Sequence, residues 1–114
     1  MRLSLREHSD EALQAARSAI AAGRCIVLPT DTVYGIGADA LNARAVQGLL
    51  DAKQRGRDMP PPVLIAEPAM MAALVREVPS YASKLAEAFW PGALTMILKA
   101  QSALPMDLGE TRGT

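Results

Sequence analysis

Apolar positions along this chain change period several times, and each change marks an element. Arg2 to Arg6 alternates polar and apolar side chains, the period of a short strand. Ser9-Asp10-Glu11 opens a helix, with the acids in the first turn where the helix dipole favours them. Leu13, Ala16 and Ile20 continue at helical spacing, and Gly23 is placed to end that helix. Cys25-Ile26-Val27-Leu28 is apolar throughout and predicts a buried strand. Asn42 is a helix N-cap for Ala45, Val46, Leu49 and Leu50, which share one face. That helix ends near Lys53, and Gly56 marks the exit. Pro60-Pro61-Pro62 bars helix and fixes a loop. Val63-Leu64-Ile65 reads as a short buried strand, and Ala69 to Val75 as a short helix with Pro68 in its first turn. Pro79 or Ser80 opens another helix through Tyr81, Leu85, Ala88 and Phe89, which Pro91-Gly92 stops. Leu94 to Leu98 is the next strand, and from Gln101 the sequence turns loop-like.

Strands alternating with helices predict an α/β or α+β sheet domain. With 114 residues there is room for one small domain, and half the residues are hydrophobic, so a core is available. Twelve basic and twelve acidic residues balance, so any nucleic-acid or phosphate site must be a local basic patch. The single cysteine, Cys25, lies in an apolar run and reads as a packed thiol rather than a nucleophile. With His8 the only histidine, the chain cannot assemble a structural zinc site. No stretch has the length of a membrane span, and the expected location is cytoplasmic.

Chemistry concentrates just after the apolar strand, in Pro29-Thr30-Asp31-Thr32-Val33-Tyr34-Gly35-Ile36-Gly37. Proline has no N–H to donate and ends a ladder. The two glycines would allow a ligand close to the backbone, or a positive φ. Thr30, Asp31, Thr32 and Tyr34 can fix a small zwitterion by hydrogen bonds. Alternatively, the block is a strand followed by a tight loop whose hydroxyls cap a helix. Asp31 can serve as a base or magnesium ligand; acceptance of backbone N–H bonds within its own loop is the preferred reading. Gly35-Ile36-Gly37 lacks the third glycine that a dinucleotide-binding loop needs. A second group is Lys53-Gln54-Arg55-Gly56-Arg57, three cations within five residues. They share a face if the segment is extended, not if it is helical. Such a set suits a polyphosphate, or simply the solvated C-terminus of a helix. Trp90-Pro91-Gly92 reads as a core-closing indole and a turn.

Taken in order, P-T-D-T-V-Y-G-I-G, K-x-R at Lys53 and Arg55, and W-P-G-A-L-T from Trp90 resemble the YrdC/Sua5/TsaC family, the threonylcarbamoyl-AMP synthases. The resemblance implies a YrdC-like twisted mixed sheet flanked by helices, truncated here. Residues 1–114 would then be the N-terminal portion of a single domain, because the family's later V-x-x-R and S-x-N segments are missing; a natural short form is the alternative. It further implies that L-threonine, bicarbonate and ATP, with magnesium accompanying the ATP, become threonylcarbamoyl-AMP and pyrophosphate for tRNA modification. Lys53 and Arg55 would hold the triphosphate, Thr32 and Tyr34 the threonine, and Thr114 the nucleotide. Met59 stands where many members carry an asparagine that touches ATP, and Leu64 where they carry a histidine that touches threonine. Their contributions would be a thioether or backbone contact and contact area respectively. The competing expectations are an RNA- or nucleotide-binding module without synthase activity, including double-stranded RNA binding, and a carbamoyl-transfer domain. Further partners implied are tRNA and the downstream threonylcarbamoyl-transfer machinery. These residues alone are expected neither to bind ATP tightly nor to fold stably as a monomer.

Overall fold

Helix α1 (Ser9–Ala21) carries Asp10 and Glu11 in its first turn, and His8, not Ser9, is its N-cap residue. Its inward face is Ala12, Ala15, Ala16, Ala19 and Ile20, while Leu13 is exposed. The helix ends in a full Schellman motif. Gly23 takes φ +75°, its N–H donates to the Ile20 carbonyl, and Arg24 N–H donates to the Ala19 carbonyl. The structure, a computed structural model, describes residues 1–114. Arg2 to Arg6 forms no strand. Instead the chain turns there, with His8 N–H donating to the Ser4 carbonyl at 2.8 Å.

Strands β1 (Ile26–Pro29) and β2 (Tyr34–Gly37) form an antiparallel hairpin in the register Ile26–Gly37, Val27–Ile36, Leu28–Gly35 and Pro29–Tyr34. Pro29 closes the ladder, as a residue without N–H must. The second half of the polar block is therefore a strand and not loop. Its glycines serve packing: neither Gly35 nor Gly37 has positive φ. A Cβ on Gly37 would lie 3.2 Å from Leu28 Cδ2, and one on Gly35 would lie 3.4 Å from Thr30 Cγ2. Small residues on β2 thus make room for side chains reaching across from the first arm.

Helix α2 (Ala43–Ala52) begins where expected. The Asn42 side-chain oxygen accepts from Arg44 N–H at 3.1 Å and Ala45 N–H at 3.2 Å. Its predicted face, Ala45, Val46, Leu49 and Leu50, is the part of the helix that is buried. The half-buried Cys25 thiol lies 3.9 Å from the Ala45 carbonyl and donates to it, which makes it a packing group. A 3-10 turn at Pro68–Met70 leads into α3 (Met71–Leu74), and α4 spans Ser80–Phe89.

Met71, Ala82 and Ala86 form a second small core, joined by Ile65, Val75, Val78, Trp90, Met96 and Leu98. Val63–Ile65 and Leu94–Leu98, expected as strands, belong to no sheet ladder. Burial still alternates along them: Leu94, Met96 and Leu98 face inward while Thr95 and Ile97 are exposed. Hydrogen bonding resumes at an isolated bridge between Val75 and Ala100, and Ala100 N–H donates to the Gly113 carbonyl. After α4 the Trp90–Pro91 peptide is cis, and Trp90 Nε1–H donates to the Leu94 carbonyl at 2.8 Å, holding the turn.

The two-stranded hairpin is the whole of the ladder-forming sheet. Accessible surface is 8614 Å², against about 6,000 Å² for a globular monomer of this mass. Only seven residues are buried. The radius of gyration is 15.0 Å, against about 13 Å for a compact chain of this length. Much apolar surface that a closed domain would cover therefore faces solvent.

Candidate functional site

The polar block becomes a hairpin tip. One hydroxyl organises it: Thr30 Oγ1–H donates to the Val33 carbonyl, and the same oxygen accepts from Thr32 N–H at 3.3 Å. Thr32 Oγ1 lies 3.4 Å from Thr30 Oγ1. This is a threonine-made turn of the kind that short hydroxyl side chains form in loops. The role was expected of Asp31, but its carboxylate is exposed and accepts no backbone bond. Thr32 and Tyr34 both point into solvent, and Tyr34 is 77% exposed. Neither is tied up by core packing, so both are free to meet a ligand.

The cation segment begins at the C-terminus of α2. Lys53 is the C-cap, still in the right-handed helical region. Gln54 takes φ +54°, a left-handed conformation unusual for a residue with a side chain. Gln54 N–H donates to the Asp51 carbonyl at 3.0 Å, and Arg55 N–H donates to the Leu50 carbonyl at 2.9 Å. This is the Schellman pattern again, with glutamine where glycine is usual. The segment is therefore neither helical nor extended. It reverses at Gln54, which separates Lys53 from Arg55 by one left-handed residue. Lys53 and Arg55 are exposed, and neither side chain makes an ion pair or hydrogen bond.

Arg57 behaves differently. Its guanidinium pairs with the Asp107 carboxylate, and both side chains are about half exposed. The Arg57 guanidinium, through that hydrogen bond, and the Gly109 N–H together hold the Asp107 carboxyl below the usual carboxylate range; slight desolvation opposes them. The Arg57 carbonyl accepts from Glu110 N–H at 2.7 Å. Three free converging cations are thus not present; two are free and one is engaged. Asp107 and Gly109 carried no local sequence signal, because their partner is 50 residues away.

Thr114 donates its hydroxyl to the Thr111 carbonyl at 2.6 Å and lines a cleft of about 100 Å³ with Asp107, Gly109 and Gln101. That cleft adjoins the loop that holds Arg57. A larger cleft of about 510 Å³, between the 3-10 turn, α3 and α4, includes none of the expected ligand residues. Met59 and Leu64 are exposed at 52% and 70%, available for contact but unanchored. No hydrogen bond or ion pair joins the hairpin tip to the cation segment. No three His, Cys, Asp or Glu side chains gather within reach of one metal ion.

Comparison with known proteins fits this geometry. The family profile described as telomere recombination, Sua5/YciO/YrdC, matches residues 18–114. A Mycobacterium tuberculosis (strain H37Rv) protein that bears the provisional name threonylcarbamoyl-AMP synthase is 47% identical over 108 residues, covering 95% of this chain and 50% of its own. The threonylcarbamoyl-AMP synthase of Pyrococcus abyssi is 38% identical over 104 residues, 90% of this chain and 31% of its own. Among solved structures, Pyrococcus abyssi Sua5 complexed with L-threonine superposes with a TM-score of 0.82 at 34% identity, over 95% of this chain and 30% of that one. A doubly substituted form of the same protein gives 0.86 at 36% identity, over 96% and 33%. The chain spans about half the length of the Mycobacterium tuberculosis relative and about a third of the Pyrococcus abyssi one. By its sequence, its hairpin and its superposition, this chain belongs to the Sua5/YrdC family.

Proposed function

We propose that residues 1–114 supply the threonine-facing and phosphate-facing part of a threonylcarbamoyl-AMP synthase, as the N-terminal portion of one domain. The observation that carries this reading is a pair of exposed sets: Thr32 and Tyr34 on the hairpin tip, and the unpaired Lys53 and Arg55 at the end of α2. Support comes from the superposition on a relative solved with L-threonine.

The reaction places no nucleophile on the protein. The threonine amine forms a bond to the bicarbonate carbon with loss of water, giving a carbamate whose carboxylate oxygen attacks the α-phosphorus of ATP in line. The bond to the bridging oxygen breaks, and pyrophosphate leaves. A protein catalysing this must orient two ligands and neutralise charge on the leaving group. Thr32 and Tyr34 would hold the threonine by hydroxyl hydrogen bonds, with Leu64 adding contact area. Lys53, a point charge, and Arg55, a planar fork, would neutralise the departing pyrophosphate. Met59 and Thr114 would touch the nucleotide. Magnesium would arrive on the ATP phosphates, since this chain gathers no carboxylate cage for it.

The product would pass to threonylcarbamoyl transfer onto tRNA. A cytoplasmic setting suits the free Cys25 thiol, and no helix is long and apolar enough to cross a membrane. An RNA-binding role without catalysis gains no support from the balanced charge. The test is pyrophosphate release by the intact protein with ATP, L-threonine and bicarbonate, omitting each in turn. Release that depends on all three supports the reading; release indifferent to threonine contradicts it.

A further inference from the structure

The loop from Asp107 to Glu110 grips the cation segment in a way that the sequence does not announce. Its Asp107 carboxylate takes the Arg57 guanidinium, and Glu110 N–H donates to the Arg57 carbonyl at 2.7 Å. Gly109 N–H donates to Asp107 Oδ1 at 3.3 Å, which orients the carboxylate. Gly109 itself takes φ +111°, and a Cβ there would lie 2.4 Å from the Arg57 carbonyl oxygen. That contact is with backbone, so no side-chain rotation relieves it. Both the conformation and the space demand glycine.

We propose that Asp107 and Gly109 are positioning residues that clamp Arg57, so that the neighbouring Lys53 and Arg55 are held ready for the phosphates. The inference rests on the reading of Lys53 and Arg55 as phosphate ligands. Arg57 then serves the clamp and not the nucleotide. An ion pair as exposed as this one is too weak to fix a segment unaided. The main-chain bond from Glu110 to the Arg57 carbonyl supplies what it lacks, and Gly109 lets the loop approach that carbonyl closely. The geometry also explains why the three cations differ: Lys53 and Arg55 have no partner, while Arg57 is held from side chain and carbonyl at once. The same loop borders the cleft that Thr114 lines, so the clamp ties two parts of the nucleotide side together.

The test uses the intact protein, with inorganic triphosphate affinity by calorimetry and steady-state pyrophosphate release. Asp107→Ala, Gly109→Ala and Arg57→Ala should each weaken triphosphate binding and raise KM for ATP by roughly three- to tenfold. KM for L-threonine should stay unchanged. Arg57→Ala with Asp107→Ala should be no worse than either alone, and Asp107→Glu should recover part of the loss. Thermal melts of Asp107→Ala and Asp107→Glu identify any unfolded variant, so the result does not hang on Gly109→Ala. Loss in Arg57→Ala with none in Asp107→Ala would put Arg57 on the phosphates and overturn the clamp. Tighter binding in Asp107→Ala would make Asp107 a competitor and also overturn it. A parallel rise in KM for threonine would indicate general loosening, again against it. If Lys53→Ala leaves triphosphate affinity intact, the phosphate reading itself fails, an outcome separate from the clamp's failure.

Discussion

Arg55 donates its backbone N–H to the carbonyl of Leu50 at 2.9 Å, across a Gln54 held at φ +54°. Leu50 is fully buried, so a single hydrogen bond ties the backbone of the free cation to the core. A left-handed residue with a side chain costs about 1–2 kcal/mol, and glycine recovers part of that. Gln54→Gly should therefore stabilise the protein by up to about 1 kcal/mol. A thermal melt checks this, with a midpoint a few degrees higher. Gln54→Val, β-branched at positive φ, should lower it.

Asn42 accepts two N–H bonds at the other end of the same helix. Asn42→Ala should cost about 1 kcal/mol, and Asn42→Asp much less. Because α2 carries the cation segment, chemical denaturation of these variants also measures how firmly that segment is based.

At the hairpin, Thr30 shapes the loop and Thr32 stands exposed beside it. Thr32→Val should raise KM for L-threonine with little change in melting temperature. Thr30→Val should lower the melting temperature and raise that KM together, since it breaks the turn, while Thr30→Ser should restore both. Equal thermal effects from the two valine variants would contradict this division of roles.

Asp107 titrates below the usual carboxylate range, chiefly through its hydrogen bond from Arg57. A depressed folded-state value means that the link contributes fully above the ordinary aspartate pKa and is lost as pH falls through the depressed one. Carboxyl carbon NMR should place the Asp107 midpoint below about 3.9, and Arg57→Ala should raise it. A wild-type midpoint at the ordinary value would contradict the ion pair.

Much of this was legible from residue order. The α2 face, its Asn42 cap and the α4 span follow from local period and capping chemistry, and the structure repeats them. Val63–Ile65 and Leu94–Leu98 show the limit. Alternation specifies which side chains face inward, and that alternation is observed. A ladder also needs a neighbouring backbone, which local pattern cannot supply. The Gly35 and Gly37 roles were misjudged for a related reason: what they accommodate lies across a hairpin. The Arg57–Asp107 clasp spans 50 residues, so nothing near either residue points to the other. Thr30 took the turn expected of Asp31 because its hydroxyl both donates and accepts, which a carboxylate cannot do.

The surface left open predicts a further behaviour. Residues 1–114 in isolation should bind a hydrophobic dye such as ANS and melt with weak cooperativity, since only seven residues are buried. A sharp cooperative transition without dye binding would contradict it.

The central claim is that Lys53 and Arg55 neutralise the leaving pyrophosphate. Its most direct measurement is pyrophosphate release by the intact protein and its Lys53→Ala and Arg55→Ala variants, with threonine and bicarbonate saturating. The account predicts a fall in kcat/KM for ATP of about a hundredfold or more in each, with threonine affinity retained. Variants that release pyrophosphate at the wild-type rate would contradict it.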